Sequence, residues 1–374
     1  MDTKALVFVI FIFFYIRHSF GNKLEEDYNK IQPIEETQNK MGLRTTLKLV
    51  SAVEQSEGVG ARVRRSIGTM SMRNFNPFLM LDHFNIGAKA GFPHHGHRGQ
   101  ETITYVLSGG VAHEDFTGSK GLLYPGDLQF MTAGKGVVHS EMPYPLDGSD
   151  TVSGMQLWVD LPSKLRETKP RYRDLKSYEI PIVEAQDGKV NVKVISGESY
   201  GVESVRDLAY TPVHYYYVTL KPDGTFRQKV PTNFNFFLYV LSGDKLVVNN
   251  ETAVPSHHTV FFNRDGDEIE AVNTAKSDGK DIEFVLIGGE VLNQKTVQYG
   301  PFVADSQAEI NKAFMDYQYA RNGFENMKTW DSLISAGVTK DMVENELDGN
   351  LEKRKEAERE YLAAKKEVPV KDEL

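Results

Sequence analysis

Short β-rich runs separated by turn residues fill two successive blocks of this chain, from Leu43 to about Tyr172 and from about Ser177 to Val291. Runs such as ETITYVLSGGVAHEDF and NFFLYVLSGDKLVV are bounded by Gly, Pro, Asn or Asp. Many short strands at close spacing are typical of an antiparallel sandwich or barrel. The sequence therefore predicts an all-β fold with two β-domains in tandem.

Both blocks contain the pentapeptide YVLSG, at residues 105–109 and again at residues 239–243. Each copy stands at the end of one strand-like run and before the next. An identical segment in equivalent places of two β-regions indicates duplicated, barrel-like units. A chain of 374 residues that is 40% hydrophobic is large enough to bury two such cores.

The N-terminus has the layout of a secretory signal. Lys4 precedes an unbroken apolar run from Ala5 to Ile16, and small residues suited to cleavage follow as far as Gly21. The alternative is an uncleaved anchor, although the run is short for a membrane span. The predicted parts of the chain are a signal peptide at 1–21, a polar linker at 22–43, an N-terminal domain at 44–175, a C-terminal domain with a closing helix at 176–331, and a helical extension at 332–374.

The last four residues, 371–374, read KDEL, the retention signal that a receptor uses to return proteins to the endoplasmic reticulum. Together the two ends predict a protein of the endoplasmic reticulum lumen, with the KDEL receptor as a partner and no membrane span after signal cleavage.

The chain has no cysteine, which excludes thiolate catalysis, cysteine-zinc sites and disulfides. Asn250-Glu251-Thr252 matches the N-glycosylation pattern.

The charge balance argues against direct binding of nucleic acid. The formal net charge is -9 and the pI is about 5.7, so no global basic field is present. Arg62, Arg64, Arg65 and Arg73 form either a local basic patch or, with acidic neighbours such as Glu57, a salt-bridged surface.

The last part of the chain changes from strand-like to helical texture. QAEINKAFMDYQYARNGF and MVENELDGNLEKRKEAEREYLAAKKE both read as helix. The second stretch alternates Glu with Lys or Arg and has few large apolar residues, which predicts a solvated helical extension. A helical protein partner is the alternative.

Three histidines fall within four positions in the stretch GFPHHGHRGQET at residues 91–102. Alternate side chains of a strand project to one face, so His95 and His97 should point together while His94 points the other way. His139 and Glu141 repeat this spacing, and a Pro-Gly-Asp turn between the two pairs can bring the second strand beside the first.

Two histidines separated by one residue are more often surface residues than ligands. If the pair His95 and His97 lies beside the pair His139 and Glu141, however, the four side chains offer three nitrogens and one carboxylate. The predicted metal ligands are therefore His95, His97, His139 and Glu141. Such a set suits Fe(II), Mn(II), Ni(II), Cu(II) or Zn(II) and is too rich in nitrogen for calcium or magnesium.

The chain resembles the pirins, which are two-domain members of the cupin superfamily, from about Arg44 to Trp330. The residues that carry the resemblance are EQSEGVGARVRRSIG, HHGHRGQET, PGDLQFMTAGKGVVHSEMP and NGFENMKTW. It implies two tandem cupin domains, that is, β-barrels of the jelly-roll or double-stranded β-helix type. It also implies one metal, Fe(II) first of all, in the N-terminal cupin, held by three histidines and a glutamate that match the four ligands above.

The sequence departs from the family pattern close to these ligands. Gly96 stands where proline is common, His94 where an acidic residue is common, and Gln100 where an aromatic residue is common. We expect Gly96 to loosen the ligand strand and Gln100 to make the pocket wall more polar. Glu101 corresponds to a ligand in many other cupins but not in typical pirins, so we expect it to be either a reserve ligand or a residue that contacts the ligands.

The resemblance implies iron-dependent cleavage of flavonols such as quercetin, with O2 as co-substrate. The cation would stabilise the negative charge of a flavonol enolate or phenolate bound to it. Glu141 would transfer a proton or control access to the metal. An apolar pocket for the aromatic substrate has five candidate residues, each of which could equally be ordinary core: Phe78, Phe130, Met131, Met155 and Trp158.

A metal-dependent binding protein without turnover is the alternative function. Pirins are also regarded as nuclear co-regulators whose iron redox state tunes partner binding, a location that the two terminal signals contradict. A lumenal iron-binding or redox-sensing module that contacts a protein partner remains open.

The second domain offers no chelating pair. Lys229 and Pro231 stand where the first domain has His95 and His97. The remaining histidines are predicted to be loop, structural or surface residues: His83, His113, His214, His257 and His258.

Overall fold

The computed structural model describes residues 42–146, 148–205 and 208–367. The predicted signal at 1–21, nearly all of the linker predicted at 22–43 and the KDEL sequence at 371–374 lie outside the described residues. Within them, no helix combines the length and the apolar character that crossing a membrane requires.

Antiparallel strands are the main secondary structure of the described chain. The strands are β1 (Thr46–Ser51), β2 (Val53–Glu57), β3 (Ala61–Ile67), β4 (Phe78–Gly87), β5 (Phe92–His97), β6 (Gln100–Ser108), β7 (Gly110–Asp115), β8 (Lys120–Leu123), β9 (Leu128–Thr132), β10 (Val137–Tyr144), β11 (Thr151–Asp160), β12 (Arg171–Leu175), β13 (Ile182–Ala185), β14 (Val190–Ser196), β15 (Glu198–Ser199), β16 (Val202–Glu203), β17 (Val213–Leu220), β18 (Thr225–Lys229), β19 (Phe234–Ser242), β20 (Leu246–Val248), β21 (Thr252–Val254), β22 (His258–Phe262), β23 (Glu268–Asn273), β24 (Ile282–Glu290), β25 (Val297–Tyr299) and β26 (Phe302–Ala304). The α-helices are α1 (Gln307–Gln318), α2 (Lys340–Asn345) and α3 (Leu351–Glu367).

The two halves of the chain build the same pair of sheets. The first half forms a seven-stranded sheet, in the order β12-β9-β6-β11-β4-β3-β2, and a four-stranded sheet, β5-β10-β7-β8. The second half, together with β1 from the first, forms a seven-stranded sheet, β1-β22-β19-β24-β17-β14-β13, and by itself a four-stranded sheet, β18-β23-β20-β21. The prediction of an all-β protein with two tandem cupin barrels and C-terminal helices is thus confirmed.

The repeated tyrosines of the YVLSG segments lie between the barrels. Tyr105 packs against Tyr217 with the ring centroids 5.7 Å apart, and Tyr239 packs against His83 at the same centroid distance. One apolar cluster contains both tyrosines and residues of both seven-stranded sheets. Since alternate strand residues face opposite sides of a sheet, the duplicated segment presents the same side chain to the partner barrel in each half.

The two barrels exchange terminal segments. β1 precedes the N-terminal barrel in sequence but pairs with β22 of the C-terminal barrel, with Leu49 opposite Val260. Conversely, β25, β26 and α1 follow the C-terminal barrel but pack on the N-terminal one, where Phe302 and Ile310 join a cluster with Val138. The predicted closing helix therefore covers the N-terminal barrel.

Local signals set the start and the buried face of α1. Ser306 caps the helix, and its hydroxyl accepts a hydrogen bond from the backbone N–H of Glu309 at 3.3 Å. Ile310, Ala313 and Tyr317 recur at helical spacing and pack into the cluster over the N-terminal barrel.

The segment after Trp330 is packed on the N-terminal barrel. Ile334, Val343 and Leu347 are buried in a cluster with Ala112 and Leu122. The prediction of a solvated extension is therefore wrong for this segment, although most residues of α3 are exposed as predicted.

An ion pair with a buried carboxylate attaches α3 to the same barrel. The guanidinium of Arg354 donates to both carboxylate oxygens of Asp127, at 2.7 and 2.6 Å, and Asp127 is fully buried. A buried carboxylate needs such a partner because desolvation of a lone charge is costly.

The glycosylation pattern lies at an exposed turn. Asn250 belongs to the tight turn between β20 and β21, and its side chain is exposed. Its use as an acceptor stays a prediction.

Candidate metal centre

Two neighbouring strands of the N-terminal barrel carry the predicted ligands. β5 and β10 pair antiparallel, with His95 opposite His139 and His97 opposite Val137. The register shifts between His139 and Glu141, so the strand is irregular between these two side chains. β-bulges of this kind redirect side chains and are common beside functional sites.

The three predicted histidine ligands converge. Their ring centroids are 4.4 Å apart for His95 and His139, 5.0 Å for His95 and His97, and 4.9 Å for His97 and His139. The nitrogen atoms that they offer all lie within 4.8 Å of one another, and no other such group occurs in the described residues. His94 is exposed and outside the group, as the strand alternation predicts.

Burial keeps these imidazoles neutral. Desolvation lowers the pKa of His95, and it lowers the pKa of His97 and of His139 well below the ordinary value. The mutual repulsion of the protonated rings acts in the same direction on His97 and His139. Neutral rings keep a nitrogen lone pair, which is the form that binds a metal.

Buried nitrogen atoms without partners surround the convergence point. Nε2 of His97, Nδ1 of His139 and the indole Nε1 of Trp158 are buried and have no hydrogen-bond partner. The Trp158 ring lies 5.1 Å from that of His97. Nε2 of His139 and Nε2 of His95 lie 3.0 Å apart, while Nε2 of His97 has no partner. Since buried polar groups are normally satisfied, a divalent transition metal held by the three rings fits this arrangement.

Glu141 lies beside this group and is held by two neighbours. Its Oε2 is 3.9 Å from Nε2 of His139, its Oε1 accepts from the hydroxyl of Thr104 at 3.2 Å, and its Oε2 accepts from the amide of Gln156 at 3.2 Å. Burial raises the pKa of the Glu141 carboxyl, against the opposing effect of these hydrogen bonds. The role of Glu141 as a fourth ligand and proton carrier remains a prediction.

Sequence reasoning missed the two polar partners of Glu141. Thr104 and Gln156 also bond to each other, with the Thr104 hydroxyl donating to Oε1 of Gln156 at 2.8 Å. A signal was present in β11, where Gln156 and Trp158 alternate with the apolar Met155 and Leu157. A polar residue on the same face as a tryptophan indicates a barrel interior that is not entirely apolar.

His113 is a second missed residue. It is buried on β7 directly opposite Glu141, its Nε2 lies 3.5 Å from Oδ2 of Asp174, and its ring stacks on Tyr172. It is therefore structural, as predicted, but it lies in the interior beside the candidate site.

Glu101 is turned away from the histidines. Its carboxylate accepts from the hydroxyl of Thr132 at 2.6 Å and from the backbone N–H groups of Tyr210 and Thr211 at 3.0 and 3.1 Å. These bonds tie β6 to the segment that precedes β17. The expectation of Glu101 as a reserve ligand is wrong for this geometry.

The five predicted pocket residues separate into three groups. Phe78, Phe130 and Met155 belong to the apolar core between the barrels, and Met131 belongs to the cluster beneath α1. Trp158 alone of the five lies against a predicted ligand. The alternative of ordinary core packing is correct for the other four.

Gly96 allows a close approach to the ligand strand. A Cβ atom at this position would lie 2.6 Å from the ring of Tyr317 on α1. Instead of loosening the strand, as expected, the glycine lets the helix pack directly over it.

The other histidines are not ligands in the described structure. His83 and His257 both contact the hydroxyl of Tyr239, through Nδ1 at 3.0 and 3.3 Å, at the junction of the barrels. Burial lowers the pKa of His83 and of His214 to about 4. The metal-ligating group found among the described residues consists of residues of the first barrel.

The arginines near residue 64 are paired. Arg62 bonds Glu54 at 2.7 Å, and Arg65 bonds Glu57 at 2.6 Å and Asp82 at 2.7 Å. The salt-bridged alternative is thus correct for these two arginines.

A cavity of about 630 Å³ opens in the C-terminal barrel. Its lining includes His214, Arg227, Gln228 and Lys229, and none of the three converging histidines. The group that could hold a metal lies outside this cavity, in which Arg227 is paired with Glu268 at 3.5 Å.

Comparison with known proteins identifies relatives for both barrels. A family model described as Pirin matches residues 60–159, and one described as Pirin C-terminal cupin domain matches residues 215–323. Pirin from Homo sapiens is 45% identical over 294 residues, which are 78% of this chain and 98% of the human protein. A pirin-like protein from Solanum lycopersicum is 44% identical over 290 residues, 77% of this chain and 96% of the tomato protein.

Solved structures share the fold. The crystal structure of a quercetin 2,3-dioxygenase from Acinetobacter baumannii superposes with a TM-score of 0.68 at 27% identity, covering 75% of this chain and 98% of that protein. A protein from Geobacillus kaustophilus gives a TM-score of 0.60 at 30% identity, covering 68% of this chain and 99% of that protein.

Proposed function

The chain belongs to the pirin family, and we propose that it is a mononuclear iron protein that cleaves flavonols such as quercetin with O2. The observation that carries this proposal is the convergence of three neutral imidazoles, with nitrogens inside 4.8 Å, beside a buried carboxylate of raised pKa. The similarity to a quercetin 2,3-dioxygenase supports the choice of substrate class.

His95, His97 and His139 would hold the metal, and Glu141 would complete the set. Three nitrogens and one oxygen suit Fe(II), with Mn, Ni, Cu or Zn as alternatives that the same ligands accept. Bound there, the ion would supply the positive charge that stabilises a flavonol enolate and the redox chemistry that O2 requires. His95 is partly exposed, so solvent reaches this side of the group.

Glu141 has the environment of a proton acceptor for a substrate hydroxyl. Because burial raises its pKa, the carboxylate gains basicity compared with an exposed glutamate. Gln156 donates to Oε2, and the Thr104 hydroxyl shares its single hydrogen between Oε1 of Glu141 and Oε1 of Gln156, so both side chains hold the orientation of the carboxylate. Trp158, which packs edge-on to His97, supplies an aromatic wall beside the site.

A test combines metal analysis with oxygen uptake. Protein purified without oxygen should contain about one iron per chain, and the iron-loaded form should consume O2 when quercetin is added. Metal binding without quercetin-dependent uptake would refute the dioxygenase activity, whereas a wild-type protein without metal would refute the ligand assignment itself.

The non-catalytic alternative is an iron-dependent module that binds a protein partner, and one observation favours it. Ser140, between His139 and Glu141, contacts the hydroxyls of Ser332 and Ser335 at 3.0 and 2.9 Å. The ligand strand is thereby connected to a surface segment whose contacts could respond to the metal. Oxygen uptake distinguishes this function from the enzyme.

We also propose that the protein works in the lumen of the endoplasmic reticulum. The signal at 1–21 and the KDEL at 371–374 support this, together with the absence of cysteine, which an oxidising compartment tolerates. Deletion of residues 371–374 should send the protein into the culture medium, while the full chain stays in the cell with lumenal markers. A full chain found in the cytosol would contradict the proposal.

A further inference from the structure

Gln100 faces the predicted ligand His97 with a hydrogen-bond donor. Its side-chain nitrogen lies 2.9 Å from Nδ1 of His97 and 3.0 Å from the carbonyl oxygen of Pro301, and the side chain is fully buried. The Pro301 carbonyl oxygen can only accept a hydrogen bond. If the amide oxygen of Gln100 lay beside it, two acceptors would face each other. The amide nitrogen, which faces Pro301, therefore also faces His97.

This contact fixes the tautomer of His97 in the metal-free protein. A neutral imidazole has one donor and one acceptor nitrogen, and Nδ1 must accept here, so the proton resides on Nε2. Binding of a metal through Nε2 needs a lone pair on that atom, and hence a proton on Nδ1 with an acceptor opposite it. The amide oxygen of Gln100 is buried and has no partner.

His95 shows the arrangement that metal binding requires. Its Nδ1 lies 2.9 Å from the carbonyl oxygen of Pro93. A carbonyl can only accept, so Nδ1 carries the proton and Nε2 has the lone pair, which faces Nε2 of His139 at 3.0 Å in the metal-free protein. The two predicted ligands of β5 thus differ, because His95 already has the tautomer that binds a metal through Nε2 and His97 does not.

We propose that Gln100 is a positioning residue whose amide turns by half a rotation when His97 binds the metal, so that its oxygen accepts from the Nδ1–H of His97. This inference rests on the proposed metal site. His97 loses the Nε2 proton to water and gains one from water at Nδ1, so the ring stays neutral. The rotated oxygen would face the Pro301 carbonyl, so the side chain must also move away from that carbonyl, which keeps the backbone N–H of Arg98 at 3.1 Å as its donor.

The first test follows the tautomer in the wild-type protein by nitrogen-15 NMR of the histidine side chains. Zinc serves as a diamagnetic probe. The His97 proton should be on Nε2 without metal and on Nδ1 with zinc, whereas His95 should carry its proton on Nδ1 in both states. A His97 proton on Nδ1 in the metal-free protein would overturn the proposal.

The second test measures zinc affinity by competition with a chelator. Gln100→Leu, which keeps the volume but removes the acceptor, should bind zinc about 10 to 100 times more weakly, the usual loss for a group that orients a ligand. Gln100→Glu, whose ionised carboxylate only accepts, should bind at least as tightly as the wild type. Gln228→Leu, which alters a buried glutamine of the other barrel, is the control and should leave the affinity unchanged.

The outcomes separate this inference from the proposed function. If the wild type binds zinc and Gln100→Leu binds it equally well, Gln100 only fills space and the inference fails while the metal site stands. If the wild type binds no metal, both fail. The NMR measurement needs no variant, so a poorly folded Gln100→Leu protein would not prevent the decision.

Discussion

The His97→Ala protein, purified without oxygen, should have lost its stoichiometric iron. His97 is fully buried, and its unpartnered Nε2 points to a place that two other imidazoles reach. Loss of a group that merely orients a ligand weakens metal binding about 10- to 100-fold, so loss of the ligand itself should exceed about 100-fold. Elemental analysis and chelator competition measure this.

His94→Ala is the matched control. His94 is on the same strand but exposed and outside the converging group, so its removal should leave the metal content unchanged. Equal iron content in His97→Ala and the wild type would contradict the ligand assignment, and iron loss in His94→Ala alone would show that the strand register is different.

Glu141→Gln should retain iron but lose most of its quercetin-dependent oxygen uptake. The amide keeps the size of the side chain but cannot hold a proton, and general-base catalysis contributes about 10²- to 10⁴-fold to a rate. Burial raises the carboxyl pKa in the metal-free protein, whereas a bound cation would lower it. Wild-type activity should fall at the acidic pH where the carboxylate is protonated in the iron-loaded enzyme. The variant should lack this acidic limb of its pH profile.

Glu101→Gln is the control for Glu141. Glu101 is a buried carboxylate in the same barrel, but its oxygens accept from Thr132, Tyr210 and Thr211. This variant should keep the iron and the pH profile, with at most a lower melting temperature. Full activity in Glu141→Gln would show that Glu141 carries no proton in the reaction.

The positions of the histidines on one face follow from a local rule. Successive side chains of a strand alternate between its two faces, so the spacing of His95 and His97 was enough to place them together and His94 apart. The YVLSG repeat likewise indicated a duplicated unit, and the corresponding sheets of the two barrels have equivalent strand orders. These inferences needed only residues that are close in the sequence.

The partners of the buried side chains depend on residues far away in the chain. Glu101 meets Tyr210 and Thr211, and Gln100 meets Pro301, contacts that no periodicity in the first barrel indicates. The docking of residues 334–347 was missed for the same reason, since a few apolar residues in a charged segment do not reveal the surface that buries them.

The sequence by itself therefore determined the β-barrel class, the duplication and the shared face of His95 and His97, because each depends on alternation within a strand or on an identical short segment, while the family resemblance supported adding His139 to the group. Only the tertiary structure decided which polar groups support the site, which barrel α1 and β1 join, and how His97 is held. Those features result from contacts between residues far apart in the chain, such as the ion pair between Arg98 and Asp316 of α1 at 3.0 Å.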